Sequence, residues 1–174
     1  SARNMLGWTY DDSGDHKKAI EIYEKSLSTA KKAKDKHGTM VTYGSMGVVN
    51  LNMGFLDNAL DFLKKQQAFA KELDDKYEFS AALGNRGYIY LQKADYKQAK
   101  ECFEKLRNIA EELDIQVWIA NSAGNMGLIH WRKGDYDRAM ECYQEQLDIS
   151  EELNDKPGIA HATSNMGLIH KHMG

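Results

Sequence analysis

The chain has 174 residues, 42% apolar and 28% charged, a balance that is typical of a soluble folded protein and excludes collagen and intrinsic disorder. Its 23 basic and 26 acidic side chains are mixed along the sequence and leave a net charge of −3, so we expect no nucleic-acid partner. The sequence has no run of about 18 apolar residues and no signal peptide at its start, so we expect a cytoplasmic protein without a membrane partner.

A hexapeptide motif returns along the chain with a period of 40 residues. Asn-Met-Gly-Leu-Ile-His occupies 125–130 and is repeated unchanged at 165–170, and weaker copies begin at Ser45 and Asn85. A constant period of this length indicates one supersecondary unit stacked on copies of itself, which favours an extended binding surface over a closed catalytic pocket. We expect one array that is a piece of a longer chain. Its units are predicted at about 1–34, 35–74, 75–114 and 115–154, with a partial unit at 155–174.

Within a unit the pattern predicts a first helix, helix A, that ends in a glycine turn. In the unit that starts at Ile115, small and apolar residues recur at the spacing of one helix face, at Ala120, Ala123, Met126, Gly127 and His130. Gly134 is suited to the left-handed residue that follows a helix end. Asp135 can cap the next helix by accepting hydrogen bonds from its free amides.

The second helix of the unit, helix B, is predicted from another stripe with the same spacing. That stripe consists of Tyr136, Ala139, Met140, Tyr143, Leu147, Ser150 and Leu153. In register, the units also align two columns of small residues. The turn column is Gly14, Gly54, Ala94, Gly134 and Gly174, and the column where helix B crosses closest to helix A is Ala19, Ala59, Ala99 and Ala139. With the partial unit, the pattern predicts nine helices.

The remaining residues give no sign of catalytic or metal chemistry. Cys102 and Cys142 occupy equivalent positions of successive units, which favours two small buried residues over a disulfide. The six histidines lack the spacing of a zinc site, and the sequence has no phosphate-binding loop or nucleophile elbow. We therefore expect no catalytic residue, no cofactor and no metal.

These residues resemble the tetratricopeptide repeat (TPR), whose signature combines Leu-Gly-x-x-Tyr in helix A with Ala-x-x-x-Phe in helix B. The helix-A half is present as Leu6-Gly7 with Tyr10, Arg86-Gly87 with Tyr90, and Met126-Gly127 with His130. The helix-B half is present as Ala19 with Tyr23, Ala59 with Leu63, Ala99 with Phe103, and Ala139 with Tyr143. The resemblance implies an all-α fold, an α-solenoid in which about 4.5 units of antiparallel helix pairs form a right-handed superhelix.

The period of 40 residues, against about 34 in most members, is similar to the repeats of the Leu-Gly-Asn (Pins) scaffold family and of microbial TPR regulators. In such proteins the A helices line a concave wall that holds an extended peptide. When the positions of this concave wall are carried over to the present chain, the resemblance implies three groups of peptide-facing residues: an asparagine ladder, an apolar patch and a polar margin. These groups are Ser45, Asn85, Asn125 and Asn165; then Tyr88, Leu128 and Trp131; then Asn52, Gln92 and Arg132.

Two alternatives concern individual side chains. The asparagines can instead bond with groups inside the array, and Trp131 or Tyr88 can pack between helices, because buried polar groups need partners and aromatic stripes often belong to a core. The lysines and arginines that clamp acidic chaperone tails in one TPR subclass are replaced at equivalent positions, so we expect no binding of a C-terminal Glu-Glu-Val-Asp tail. Those positions hold Gly44, Gly84, Gly124 and Ser164.

The leading prediction is a non-catalytic scaffold that binds a protein or an extended peptide. Two further roles stay open at this point. One is a structural spacer that associates with itself through the open ends of the array. The other is the regulatory sensor segment of a larger signalling enzyme or transcription regulator.

Overall fold

The computed structural model of the chain describes the backbone of residues 2–173 and the side chains of residues 4–173. The described residues form nine helices and no strand, which confirms the predicted all-α repeat solenoid. The helices are α1 (Ala2–Asp12), α2 (His16–Lys32), α3 (Lys36–Asn52), α4 (Leu56–Glu72), α5 (Lys76–Gln92), α6 (Tyr96–Glu112), α7 (Gln116–Arg132), α8 (Tyr136–Glu152) and α9 (Lys156–Met173). The odd-numbered helices are the predicted A helices and the even-numbered ones are the B helices. None of these helices combines the length and the apolar character needed to cross a membrane.

The contacts divide the chain into two compact units, each larger than one predicted repeat: the first unit is Ser1–Ile89 and the second unit is Tyr90–Gly174. In the first unit α1 packs on α2, α2 on α3 and α3 on α4, and α1 also contacts α3. In the second unit α6 packs on α7, α7 on α8 and α8 on α9, and α7 also contacts α9. The A helices α1, α3, α7 and α9 therefore pack on B helices, and within each unit two A helices also contact each other.

The predicted turns from helix A to helix B are present. Gly14, Gly54 and Gly134 have positive φ angles of 83°, 78° and 79°, and Ala94 takes the same role at 56°. Gly174, the last member of this column, lies outside the described residues. The turns from helix B to helix A also need a left-handed residue, which the sequence did not reveal because no glycine marks it. These residues are Lys34, Asp74, Asp114 and Asn154.

Aspartates cap most of the B helices. The side chains of Asp15, Asp95 and Asp135 accept hydrogen bonds from backbone amides three residues later, at 3.3, 3.2 and 3.5 Å. Helix α4 departs from this pattern, because Phe55 stands at its N-cap and makes no capping hydrogen bond. The ring of Phe55 is 51% exposed, so little packing holds a phenylalanine there.

Replacing Phe55 with aspartate should therefore stabilise the protein. The new carboxylate can accept from the backbone amide of Asn58, and such a cap contributes about 1 kcal/mol. Chemical denaturation should show this as a higher midpoint with an unchanged slope. Phe55→Ala removes the ring without adding an acceptor and should give no gain. Equal stabilities of the two variants would contradict the capping explanation.

The core of each unit is built from the small column and from the large residue four positions later. Ala19 and Tyr23 of α2 pack against Met46 and Val49 of α3 in the first unit. In the second unit two such clusters are buried, one around Ala99, Phe103 and Ile129, the other around Ala139, Tyr143 and Ile169. Burial raises the pKa of Tyr143 to about 12.

The predicted stripe of α8 needs two corrections. Gln146 is buried although the stripe omits it, while its neighbour Leu147 is only half-buried. Leu153 is exposed, because α8 ends at Glu152 and Leu153 is its C-cap. Cys102 is buried, as predicted, whereas Cys142 is only half-buried, and neither is joined in a disulfide. Burial, together with the nearby Glu145 and Glu141, raises the pKa of the Cys142 thiol, which favours its protonated form.

Candidate functional site

The A helices of the first unit border a cavity of about 250 Å³. Ser45 of α3 and Asn85 of α5, two members of the predicted asparagine ladder, both line it. Both side chains are half-buried. Among the described residues the Asn85 side chain has no hydrogen-bond partner, whereas the Ser45 hydroxyl donates to the Val41 carbonyl at 3.1 Å. The structure therefore brings these two predicted site residues to one place.

Asp11 of α1 lies in the wall of this cavity and is buried. Its Oδ1 is 2.8 Å from His16 Nδ1, and its Oδ2 accepts a hydrogen bond from Asn52 Nδ2 at 3.1 Å. Asn52, predicted as part of the polar margin, is thus an exposed residue whose amide holds a carboxylate. Burial and the charge of Asp11 raise the pKa of Tyr23, and a hydrogen bond with Ser45 opposes them.

Gln66 of α4 lines the same cavity and is only 4% exposed. Its Nε2 donates to Glu78 Oε2 at 2.6 Å, while its Oε1 has no partner within the described part of the chain. The glutamine fits because Gly44 faces it. A Cβ at Gly44 would lie 2.6 Å from Gln66 Nε2, which is closer than real Cβ contacts. Sequence analysis missed both Gln66 and Glu78.

The second unit repeats the pairing of a glycine with a buried glutamine but surrounds it differently. Gly124 faces Gln146, and Gln146 Oε1 lies 3.3 Å from His161 Nδ1. Asn165 Nδ2 is 3.2 Å from His161 Nε2, so this predicted ladder residue has a partner in its own helix. Asn125 is half-buried and has none among residues 4–173. Lysines at the clamp positions Gly44 and Gly124 would collide with these glutamines.

The predicted apolar patch divides between surface and core. Tyr88 is exposed and Leu128 is half-buried. Trp131 is half-buried and packs against the core around Tyr143 and Ile169, as the alternative interpretation expected. The guanidinium of Arg132 lies 5.2 Å from the centre of the Trp131 ring, and the His172 ring is 6.5 Å away. Gln92 is exposed at the end of α5.

On the helix-B side of the second unit, charges pair with one another. Arg107 of α6 forms a two-pronged ion pair with Glu145 of α8, at 2.6 and 3.0 Å, and its Nε donates to Glu111 at 2.8 Å. These carboxylates, Glu145 above all, raise the pKa of Arg107 above its usual range. The pair joins two B helices. Within the described residues no group of three histidine, cysteine or acidic side chains could hold a metal ion.

Comparisons with known proteins agree with the repeat fold. Among solved structures, BtubC (BKLC) from P. vanneervenii has a TM-score of 0.85 at 19% identity, over 97% of this chain and 70% of its own. Aspartyl phosphate phosphatase F from Bacillus subtilis has 0.90 at 14%, over 96% of this chain and 44% of its own. TPR-like repeats of a putative kinesin light chain from Podosopora anserina have 0.79 at 13%, over 98% and 84%. At such identities the similarity shows the fold alone.

A search of curated proteins finds no match to the sequence. One sequence model of the tetratricopeptide repeat matches residues 38–112 and 118–174, and a second matches residues 1–32. Such repeats indicate a protein-interaction scaffold. Because the matched residues make up most of its length, the chain belongs to the tetratricopeptide repeat family.

Proposed function

We propose that the chain is a non-catalytic scaffold that holds an extended peptide, or an extended segment of a partner protein, on the A-helix surfaces of its units. The observation that carries this proposal is the cavity of the first unit, where Ser45 and Asn85 lie together and the Asn85 amide has no partner among the described residues. In the second unit Asn125 is half-buried in the same way.

The chemistry of an asparagine side chain suits such a role. It offers one acceptor oxygen and two donor hydrogens, so it can pair with both polar groups of one peptide unit. Pairing with backbone groups is independent of the side chains of the bound peptide, which makes the interaction tolerant of sequence.

On the helix-B side of the second unit, Arg107 pairs with Glu145 and Glu111, and a groove of about 640 Å³ lies beside Met140, Ile149 and Met166. The amide of Asn85, which has no partner among the described residues, lies on an A helix, so we place the proposed peptide on the A-helix side. The other roles predicted from the sequence, a self-associating spacer and a sensor segment of a larger protein, stay predictions.

The proposal is tested with peptides selected from a random displayed library on the wild-type protein. For a selected peptide, alanine in place of the asparagine that it contacts, Asn85 or Asn125, should raise Kd about two- to twelvefold, because a lost hydrogen bond weakens binding by about 0.5–1.5 kcal/mol. Isothermal titration calorimetry measures the change. Trp131 is left unchanged, because its ring packs in the core and its removal would also destabilise the fold.

The matched controls are Asn58→Ala and Asn108→Ala, which remove one exposed asparagine from a B helix of each unit. These variants lose the same chemical group and should leave Kd within about twofold, since exposed groups away from an interface contribute little to binding. A selected peptide that binds the Asn85→Ala, Asn125→Ala double variant as tightly as the wild type would refute the proposed surface.

A further inference from the structure

We propose that the cavity of the first unit is a subsite for a basic side chain of the bound peptide, arginine above all. This inference rests on the proposed function and names the chemistry of one position in the partner. It is carried by two carboxylates, Asp11 and Glu78, and by a buried carbonyl oxygen of Gln66 that has no partner among the described residues.

The two carboxylates give the cavity its charge. Asp11 belongs to α1 and Glu78 to α5, so they reach the cavity from different helices. Both oxygens of Asp11 have polar partners, which fixes the carboxylate in the wall. Glu78 uses Oε2 to accept from Gln66 and keeps Oε1 without a partner among the described residues. Its free oxygen is the one available for a direct bond to a ligand.

The orientation of the Gln66 amide follows from Glu78. An amide nitrogen beside a carboxylate donates to it, whereas the flipped amide would place two acceptors face to face. Gln66 Oε1 is therefore left as a buried acceptor without a donor. A buried acceptor without a donor costs about 1–3 kcal/mol of desolvation in general. A ligand that supplies a donor removes this cost.

No lysine or arginine is among the described residues that line the cavity, so its acceptors are not neutralised from within. Of the basic side chains in the described part of the chain, His16 is the one recorded against these acceptors, with its Nδ1 2.8 Å from Asp11 Oδ1. Trp8 also lines the cavity and is 66% exposed, so its ring is accessible at the rim. A cation within about 6 Å of such a ring is attracted by it. Arginine matches this set, because its guanidinium has five donors and no acceptor.

The acidic character is particular to the first unit. When the repeats are aligned, Gly158 and His161 of the second unit stand at the positions of Glu78 and Ala81, two repeats later. Gln146 consequently faces an imidazole there, where Gln66 faces a carboxylate. A basic side chain is thus expected to select the first unit.

Nuclear magnetic resonance tests this with three acetylated and amidated pentapeptides, Ser-Gly-Arg-Gly-Ser and its citrulline and glutamate counterparts. The reporters are the indole N–H of Trp8 and the side-chain amide of Gln66. Citrulline has the shape of arginine without its charge. We expect the arginine peptide to shift both signals with a Kd about tenfold lower than the citrulline peptide, since charge-assisted hydrogen bonds are roughly twice as strong as neutral ones.

The Glu78→Gln variant should abolish this preference. Glu24→Gln is the control of equal charge change, because Glu24 is exposed on α2 of the same unit. Equal affinities of the arginine and citrulline peptides for the wild type would overturn the inference, whatever the fate of the variants. The Asn85 amide signal and the library-selected peptides separate the two proposals. If the Asn85 signal shifts with the same Kd for all three peptides, peptide binding stands and the arginine subsite fails. If the arginine peptide moves neither Trp8 nor Gln66 while a library-selected peptide binds in an Asn85-dependent way, the subsite alone fails; if neither kind of peptide binds, both fail.

Discussion

Phe103→Ala should lower the free energy of unfolding by about 3–5 kcal/mol, the cost of removing a large aromatic side chain from a core. The Phe103 ring is 0% exposed and packs with Ala99 and Ile129. Tyr90, Leu91 and Met126 cover the same cluster from the ends of α5 and α7. The neighbouring helices could close the space left by the Phe103 ring only by moving as whole elements. Most of the cavity therefore remains and lowers the free energy of unfolding.

Urea denaturation followed by far-ultraviolet circular dichroism measures this loss. If the two units unfold in separate transitions, the loss should be confined to the transition of the second unit, which contains Phe103. Phe55→Ala is the matched control, because it removes the same side chain from an exposed position and should change stability by less than about 0.5 kcal/mol. A loss below about 1 kcal/mol for Phe103→Ala would show that the repeat collapses around the cavity.

The helices and their order follow from the sequence because steric constraints repeat with the unit. A close helix crossing admits only small residues, so Ala59 and Ala139 mark it in the sequence and are fully buried in the structure. Positive φ angles favour glycine, so Gly54 marks the turn. The turns from helix B to helix A escaped detection because residues such as Lys34, which pay a steric cost there, occupy the left-handed position.

The candidate site is only partly visible in the sequence. Ser45 and Asn85 could be predicted because they belong to the repeated motif of helix A. Gln66 and Glu78 could not, because a polar residue beside an apolar stripe is read as solvent-exposed unless its facing residue is known. Gly44 is that facing residue, and it lies on another helix. The available signal was the departure of Glu78 from its column, where Gly38 and Gly158 stand in two other repeats, although Trp118 departs from glycine as well.

Gly127 and Gly167 occupy the same place in two identical hexapeptides, yet alanine should have opposite effects at the two positions. A Cβ at Gly127 would lie 2.8 Å from Cε1 and 3.0 Å from Cδ1 of Tyr143, whereas a Cβ at Gly167 would meet nothing within 4 Å. The Tyr143 ring is 1% exposed and is a rigid group, so it cannot move aside without disturbing the core.

Both substitutions gain the same helix propensity, about 0.8–1 kcal/mol for glycine to alanine, because the local sequences are the same. Gly167→Ala should keep this gain and raise stability. Gly127→Ala should in addition incur an overpacking cost of about 1–3 kcal/mol, so that the net effect is destabilising. The difference between the two unfolding free energies, measured by urea denaturation, therefore isolates the tertiary contact of Gly127 with Tyr143. Equal changes in the two variants would mean that helix B does not approach helix A closely enough to require glycine.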